Sequence, residues 1–333
     1  MTENFQVRDV FNPKVVNALA QKLKTVWQPF DAAGFCEMII PNLPPLTFSE
    51  RLKLIYSGLA AHLPKDFPAA VDILLKALPS PLEKEELDGY DGFIIVPQSH
   101  YVSQHGMAHF DLSMNALYEM TKRFSVEFDI RFFIESHPEK TLAVLTVWAK
   151  DESPHVRRLV SEGTRPLLPW AKRLKDFEKN PAPALALLEH LKNDPALLVR
   201  RSVANHLNDV AKSHGDLVVA TLQRWKKEHP GKEMDWLIRH ATRTLIKRGH
   251  PGALALLGFQ KGAEVKVENL RLASSKINLG EHLEFSFDLV STAADSQDLV
   301  IDYVLYFMKN NGSLAPKVFK MTARKLAAGE RVS

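Results

Sequence analysis

One pattern in this chain returns, and that return limits what the chain can fold into. Asp151, Val156, Arg157, Arg158 and Val160 recur 43 residues later as Asp194, Val199, Arg200, Arg201 and Val203. A looser copy follows 39 residues on, with Ile238, Arg239 and His240 in place of the Val-Arg-Arg triplet. Each copy neighbours a second apolar helical stretch, such as ALALLEHLKN or DLVVATLQRW. A period of about 40 with two helices per unit marks HEAT-type repeats, whose helix pairs bury their apolar faces only by stacking on one another. The paired arginines then line one face of a curved solenoid.

Helical spacing extends through most of the first 250 residues, in VVNALAQKLKTVW, ERLKLIYSGLAAHL, AAVDILLKAL, MNALYEM and KTLAVLTVWAK. Breaks rich in Pro, Ser or Asp fall at PNLPPLTFSE, LPKDFP, LPSPLEKEELDGYDGF and ESHPEK. After Gly249 the period changes to two, in AEVKVENLRL and HLEFSFDLV, with turn signals at INLGE, AADSQD and NNGS. The expected fold is therefore mainly α: a HEAT-like helical-repeat domain over 1–260 and a small all-β, immunoglobulin-like sandwich over 261–333. Such a sandwich ordinarily needs roughly 100 residues, so this module is expected to be short of its last strands.

Composition sets the class. The 333 residues are 45% hydrophobic and 25% charged, with no apolar run near the roughly 20 residues that cross a bilayer. The opening MTENFQVRDVFNPK is acidic and polar where a signal peptide is basic and then apolar. We expect a soluble, cytoplasmic monomer. The one cysteine, Cys36, can form neither an internal disulfide nor a cysteine zinc site and is expected to be buried. Net charge is +4, but residues 151–260 hold 19 Lys and Arg against 12 Asp and Glu, which leaves the remainder negative. A local excess of this kind suits a polyanion-binding face and equally suits a solvated helical surface.

The charge is densest from His155 to Leu174, where four arginines, Glu162 and Trp170 crowd onto one helix and its exit. HEAT repeats commonly pair one arginine of the second helix with an aspartate of the neighbouring repeat. The second of two adjacent arginines points roughly 100° away and is left to meet phosphates. On that logic Arg157, Arg158, Arg165, Arg200, Arg201, Arg239, Arg243 and Lys247 are expected to hold a nucleic-acid backbone, with Thr164 adding a hydroxyl. No phosphate-binding glycine loop occurs. His105 and His109 stand four apart but lack a third histidine ligand, and they read as helix-entry residues; no metal or cofactor is implied.

The motifs VRRLVSEGTRPLLPW, VRRSVANHLNDVAK and WLIRHATRTLIKRGHPGALALLG resemble those of the AlkC-type, HEAT-like-repeat DNA alkylation-repair glycosylases, which carry a C-terminal immunoglobulin-like module. The resemblance is strong over about residues 110–260. It implies hydrolysis of the N-glycosidic bond of cationic alkylated bases, N3-methyladenine and N3-methylcytosine, in duplex DNA, without full base flipping. It also places catalytic acids and a lesion-side tryptophan at the positions of Glu162, Asp209, Glu127 and Trp170. Glu162 follows Arg158 by one turn, Asp209 sits at the matching end of the next repeat, and Glu127 is expected at the start of the preceding repeat's second helix. Carboxylates suit this reaction because the sugar becomes oxocarbenium-like as the bond breaks. By the same resemblance, Lys266, Arg271 and Lys276 of the β module are expected to reach the far side of the duplex.

Blander readings stand beside these. Glu127 supports a helix start, Glu162 pairs with Arg158, Asp209 joins an inter-repeat ladder, and Trp170 plugs a gap. The rival class is a non-catalytic HEAT scaffold for nucleic acid or protein, which gains nothing from Glu162 among arginines.

Overall fold

The computed structural model describes residues 6–82, 91–259, 262–278 and 280–333, so part of the expected break in LPSPLEKEELDGYDGF lies outside the described residues. The first helices are α1 (Pro13–Val26), α2 (Ala32–Ile39), α3 (Phe48–His62) and α4 (Phe67–Lys76). Local chemistry sets their starts. Asn12 accepts from the Lys14 and Val15 amides ahead of Pro13, Thr47 and Glu50 form a reciprocal box at α3, and Asp66 accepts from the Ala69 amide. In α1 the residues three and four apart, Val16, Leu19, Ala20 and Leu23, face inward.

Next come α5 (Ile95–His105), α6 (Phe110–Thr121), α7 (Ile130–Ser136) and α8 (Pro138–Trp148). The repeat region supplies α9 (Pro154–Gly163), α10 (Lys175–Lys179), α11 (Ala182–Leu191), α12 (Leu197–Val210), α13 (Gly215–Glu228) and α14 (Lys232–Ala241), and α15 (Arg243–Lys247) and α16 (Pro251–Leu256) follow. The three copies of the repeated motif fall on α9, α12 and α14, and α12 packs between the other two. Their apolar residues, Val156 and Val160, Val199 and Val203, and Leu237 and Ile238, are all buried. A mainly helical repeat protein with a small β domain is the architecture.

Two compact units result. One comprises Met1–Ser213 with Lys232–Ala241; the other comprises His214–Gly231 with Thr242–Ser333, so α13, α15 and α16 group with the strands. In the second unit β1 (Val265–Leu272), β2 (Phe285–Ser291) and β5 (Arg331–Val332) form one antiparallel sheet in the order β1-β2-β5. The hairpin of β3 (Gln297–Met308) and β4 (Leu314–Leu326) forms another, turned at Gly312, whose φ of 78° suits a residue without Cβ. Leu289, Leu299 and Leu326 are the buried apolar residues of the strands. Cys36 is only half-buried, and its thiol donates to Asn17 Oδ1 at 3.3 Å.

Candidate active site

Glu162 lies in the last turn of α9, Arg165 just beyond it, and Asp209 in the last turn of α12. Arg165 bridges the two acids: Nη1 donates to Glu162 Oε1 at 2.7 Å and Nε to Asp209 Oδ2 at 2.9 Å. Ser202, on the face of α12 that packs against α9, donates its hydroxyl to Glu162 Oε2 at 2.5 Å. Glu127 completes the group from another direction, its Oε2 3.6 Å from Arg158 Nη1, whose Nη2 lies 3.9 Å from Glu162. Glu127 is not at a helix start as expected. It stands in the turn three residues ahead of α7, because helical backbone begins only at Ile130.

The three carboxylates do not share one environment. Burial alone raises the Glu162 carboxyl, but Arg158, Arg165 and the Ser202 hydroxyl outweigh it, so its pKa falls below the usual carboxylate value. At Glu127 burial prevails over Arg158, and the neighbouring Glu162 charge adds to it, so the pKa rises. Two adjacent acids pushed in opposite directions are a recurrent means of dividing acid and base roles. Arg165, held between Glu162 and Asp209, is raised despite its burial. Behind them His206 on α12 is buried with Nδ1 3.0 Å from the Ser161 carbonyl, and burial drives its pKa down to about 4, so it is neutral at pH 7.

The expected phosphate contacts divide. Arg157 grips Asp194 of the next repeat with a two-pronged fork at 2.6 and 2.9 Å, the inter-repeat ladder of the blander reading. Arg158, expected to be the free member of the pair, is held by Ser125 at 2.6 Å as well as by the two glutamates. Arg165 is buried between acids, and Thr164 is fully buried with its hydroxyl donating to the Val160 carbonyl at 2.6 Å, as threonines in a last helical turn do. All four spend polar atoms on partners within the protein. Arg200 is half-buried and donates to the carbonyls of Asp194 and Pro195, and Arg243 is also half-buried. Arg201, Arg239, Lys247, Lys266, Arg271 and Lys276 are exposed.

Trp170 is 83% exposed, and its φ of 64° is a left-handed conformation that costs a non-glycine residue roughly 1–2 kcal/mol. Arg131 of α7 fixes the loop that carries it, donating to the carbonyls of Gly163, Arg165 and Lys172. Burial lowers the Arg131 pKa to about 10, which still leaves it charged at pH 7. Trp170 lines a groove of about 820 Å³ whose walls include none of Glu127, Glu162 and Asp209.

Arg131, Ser202 and His206 were missed by reading motifs. Their signal was in the spacing: Glu162 to Ser202, Arg131 to Lys172, Arg165 to Asp209 and Ser161 to His206 are 40 to 45 residues apart, one repeat each. His105 and His109, four apart in sequence, lie on α5 and ahead of α6 with Gly106 ending the first helix, and each ring packs on an aromatic neighbour. Among the described residues no group of three or more His, Cys, Asp and Glu has a metal-holding arrangement.

Stacked helical repeats that bury an acid–arginine cluster, with a small antiparallel β unit after them in sequence, define a class of repeat protein with a built polar site. Residues 126–245 match the family model of the DNA alkylation repair enzyme, and residues 266–333 that of the uncharacterised protein YhaZ C-terminal Ig-like domain. The chain is 35% identical to the uncharacterized protein YhaZ of Bacillus subtilis (strain 168), across 98% of this chain and 88% of that protein. It is 39% identical to the alkylpurine DNA glycosylase AlkC of Pseudomonas fluorescens, whose structure was solved bound to DNA containing an abasic site analog. That match covers 98% of this chain and 88% of the other, with a TM-score of 0.88. The chain belongs to the DNA alkylation repair enzyme family. Among the described residues no helix is long and apolar enough to cross a membrane.

Proposed function

We propose that this protein is a DNA glycosylase that hydrolyses the N-glycosidic bond of cationic alkylated bases, N3-methyladenine and N3-methylcytosine, in duplex DNA as the first step of base excision repair. The observation that carries this reading is the convergence of Glu127, Glu162 and Asp209 on Arg158 and Arg165. A methylated base that already bears positive charge takes the bond's electron pair and leaves neutral. The charge moves to the sugar, and anionic Glu162 and Asp209 stabilise it without reorganising. A water then bonds to the anomeric carbon and gives up a proton. Glu127, whose raised pKa brings it nearer ambient pH, is the better acceptor.

Similarity along almost the whole chain to a glycosylase seen with an abasic site analog supports the same substrate polymer. The exposed cations Arg201, Arg239 and Lys247, with Lys266, Arg271 and Lys276 on the β unit, then hold phosphates. Trp170 offers its face to the cationic base, an attraction of up to about 2 kcal/mol when desolvated. The groove beside Trp170 lacks all three carboxylates, which favours cleavage without turning the lesion out into it. The protein is proposed to act as a monomer, in the cytoplasm and on the nucleoid.

The test is release of free methylated base from duplex DNA treated with a methylating agent, for the unmodified protein, Glu162→Gln and Trp170→Ala. Release that collapses in Glu162→Gln while DNA binding persists is expected. No release from the unmodified protein, with salt-sensitive DNA binding intact, moves the protein to the scaffold class.

A further inference from the structure

We infer that the groove beside Trp170 is a binding site for one unpaired nucleobase, read at its edge by His100. The groove is walled by α3, α5, α7 with the turn ahead of it, and the 170–172 loop, all within one compact unit. Its volume, about 820 Å³, falls in the few-hundred to one-thousand Å³ range of small-molecule sites. Its lining includes the aromatic side chains Phe48, Tyr56, Phe128, Phe132 and Trp170 as well as His100.

His100 is held as a recognition group is held. Its Nδ1 lies 2.8 Å from Asp129 Oδ1, and Asp129 is itself buried and fixed by the hydroxyls of Ser99 at 2.5 Å and Ser103 at 3.0 Å. Tyr56 and Phe132 meet the imidazole edge-on, with centroids at 4.8 and 5.7 Å. With Nδ1 engaged by the carboxylate, the ring orientation is set, and Nε2 has no partner among the described residues. The dyad belongs to no part of the carboxylate cluster.

The remaining polar groups decide the ligand class. Arg131 spends its donors on three carbonyls, and Lys172 pairs with Glu135 at 2.9 Å, so a phosphate finds only Lys53 at this wall. An alkyl chain leaves Nε2 unanswered. A nucleobase satisfies both features, since its faces stack on aromatic rings and its edge carries both hydrogen-bond donors and acceptors to meet the imidazole nitrogen. Phe48, Tyr56, Phe128 and Phe132 supply the rings for such stacking. The base has two sources: the free base after excision, or the base left without its partner in the bound DNA. The first source rests on the glycosylase reading; the second needs only a duplex bound at an abasic site.

Two arms separate the sources, each run on the full-length protein and on Tyr56→Leu and His100→Asn, the latter keeping a donor to Asp129 while losing Nε2. In the first, free adenine is titrated and followed by saturation-transfer NMR. In the second, 2-aminopurine placed opposite an abasic analogue in a duplex reports base stacking by fluorescence. A transfer signal that falls at least fivefold in both variants assigns the excised base. A fluorescence change on binding that at least halves in both, with duplex affinity kept, assigns the DNA-borne base. If neither signal depends on Tyr56 and His100, the inference is overturned. Methylated-base release in the same preparations judges the glycosylase reading separately: its absence with adenine bound sinks that reading alone.

Discussion

In α9 and α12 the same Val-Arg-Arg triplet stands at the same point of the repeat, yet its arginines meet opposite fates. Arg157 and Arg158 are both captured, one by Asp194 and the other by Ser125, Glu127 and Glu162. Forty-three residues on, Arg200 donates to the backbone carbonyls of Asp194 and Pro195, with no carboxylate partner among the described residues, and Arg201 is exposed. The residue four places after the second arginine accounts for part of this. It is Glu162 in the first copy and Asn205 in the second, where the amide carbonyl instead lies 3.0 Å from His240 Nε2. One carboxylate at that position turns a surface arginine into part of a buried polar site.

This contrast can be broken at several points. The largest expected effect is on stability: Arg165→Ala strands Glu162 and Asp209 without their bridge and costs about 3–5 kcal/mol, whereas Arg201→Ala stays within about 0.5 kcal/mol. Urea denaturation measures both, and equal costs would erase the distinction between the copies.

Glu162→Gln is expected to slow excision by about 10²–10³-fold with duplex affinity retained, while Asn205→Asp leaves the excision rate unchanged. A rate loss shared by both would mean that charge anywhere on this face serves the reaction, and that the buried cluster is not special. Single-turnover release of methylated base decides it.

Arg201→Ala is expected to flatten the plot of log affinity against log salt by about one unit of slope, the loss of one phosphate contact. Arg157→Ala should lower stability and leave that slope alone, because its guanidinium is already spent on Asp194. An altered slope for Arg157→Ala would show that the ladder opens on binding DNA.

The finest test is Ser202→Ala, which removes one of the groups holding the Glu162 pKa below its ordinary value. Stability from a lowered carboxyl pKa is present at neutral pH and lost as pH falls through that pKa. Removing the hydroxyl raises the pKa, so the acid-side loss of both stability and excision begins at higher pH. About 1 kcal/mol should also go at neutral pH. An acid limb that does not move would assign Ser202 to packing alone.

Much of the architecture was legible because it is written in periods. Val16, Leu19 and Leu23 announce a buried helix face, and the 43-residue return announces stacking. The acids were legible as positions, since Glu162 and Asp209 close matching helices. What was not legible was the direction in which each polar side chain is spent. Thr164 and Arg165 read as surface contacts, yet one bonds back into its own helix and the other lies between two acids. The groove at His100 was invisible for a different reason: its walls come from stretches as far apart as Phe48 and Trp170, and no short motif spans them.

By itself, then, the sequence determined the helical repeat, the later change to strands and the presence of acids among arginines, because periodicity depends on neighbours a few residues away or one repeat away. Only the tertiary structure decided which arginines remain exposed, that Glu127 reaches the cluster from a turn, and that His100 faces an aromatic groove. Those outcomes depend on distances between side chains from different helices, and burial fixes the pKa of such groups only once the helices are packed.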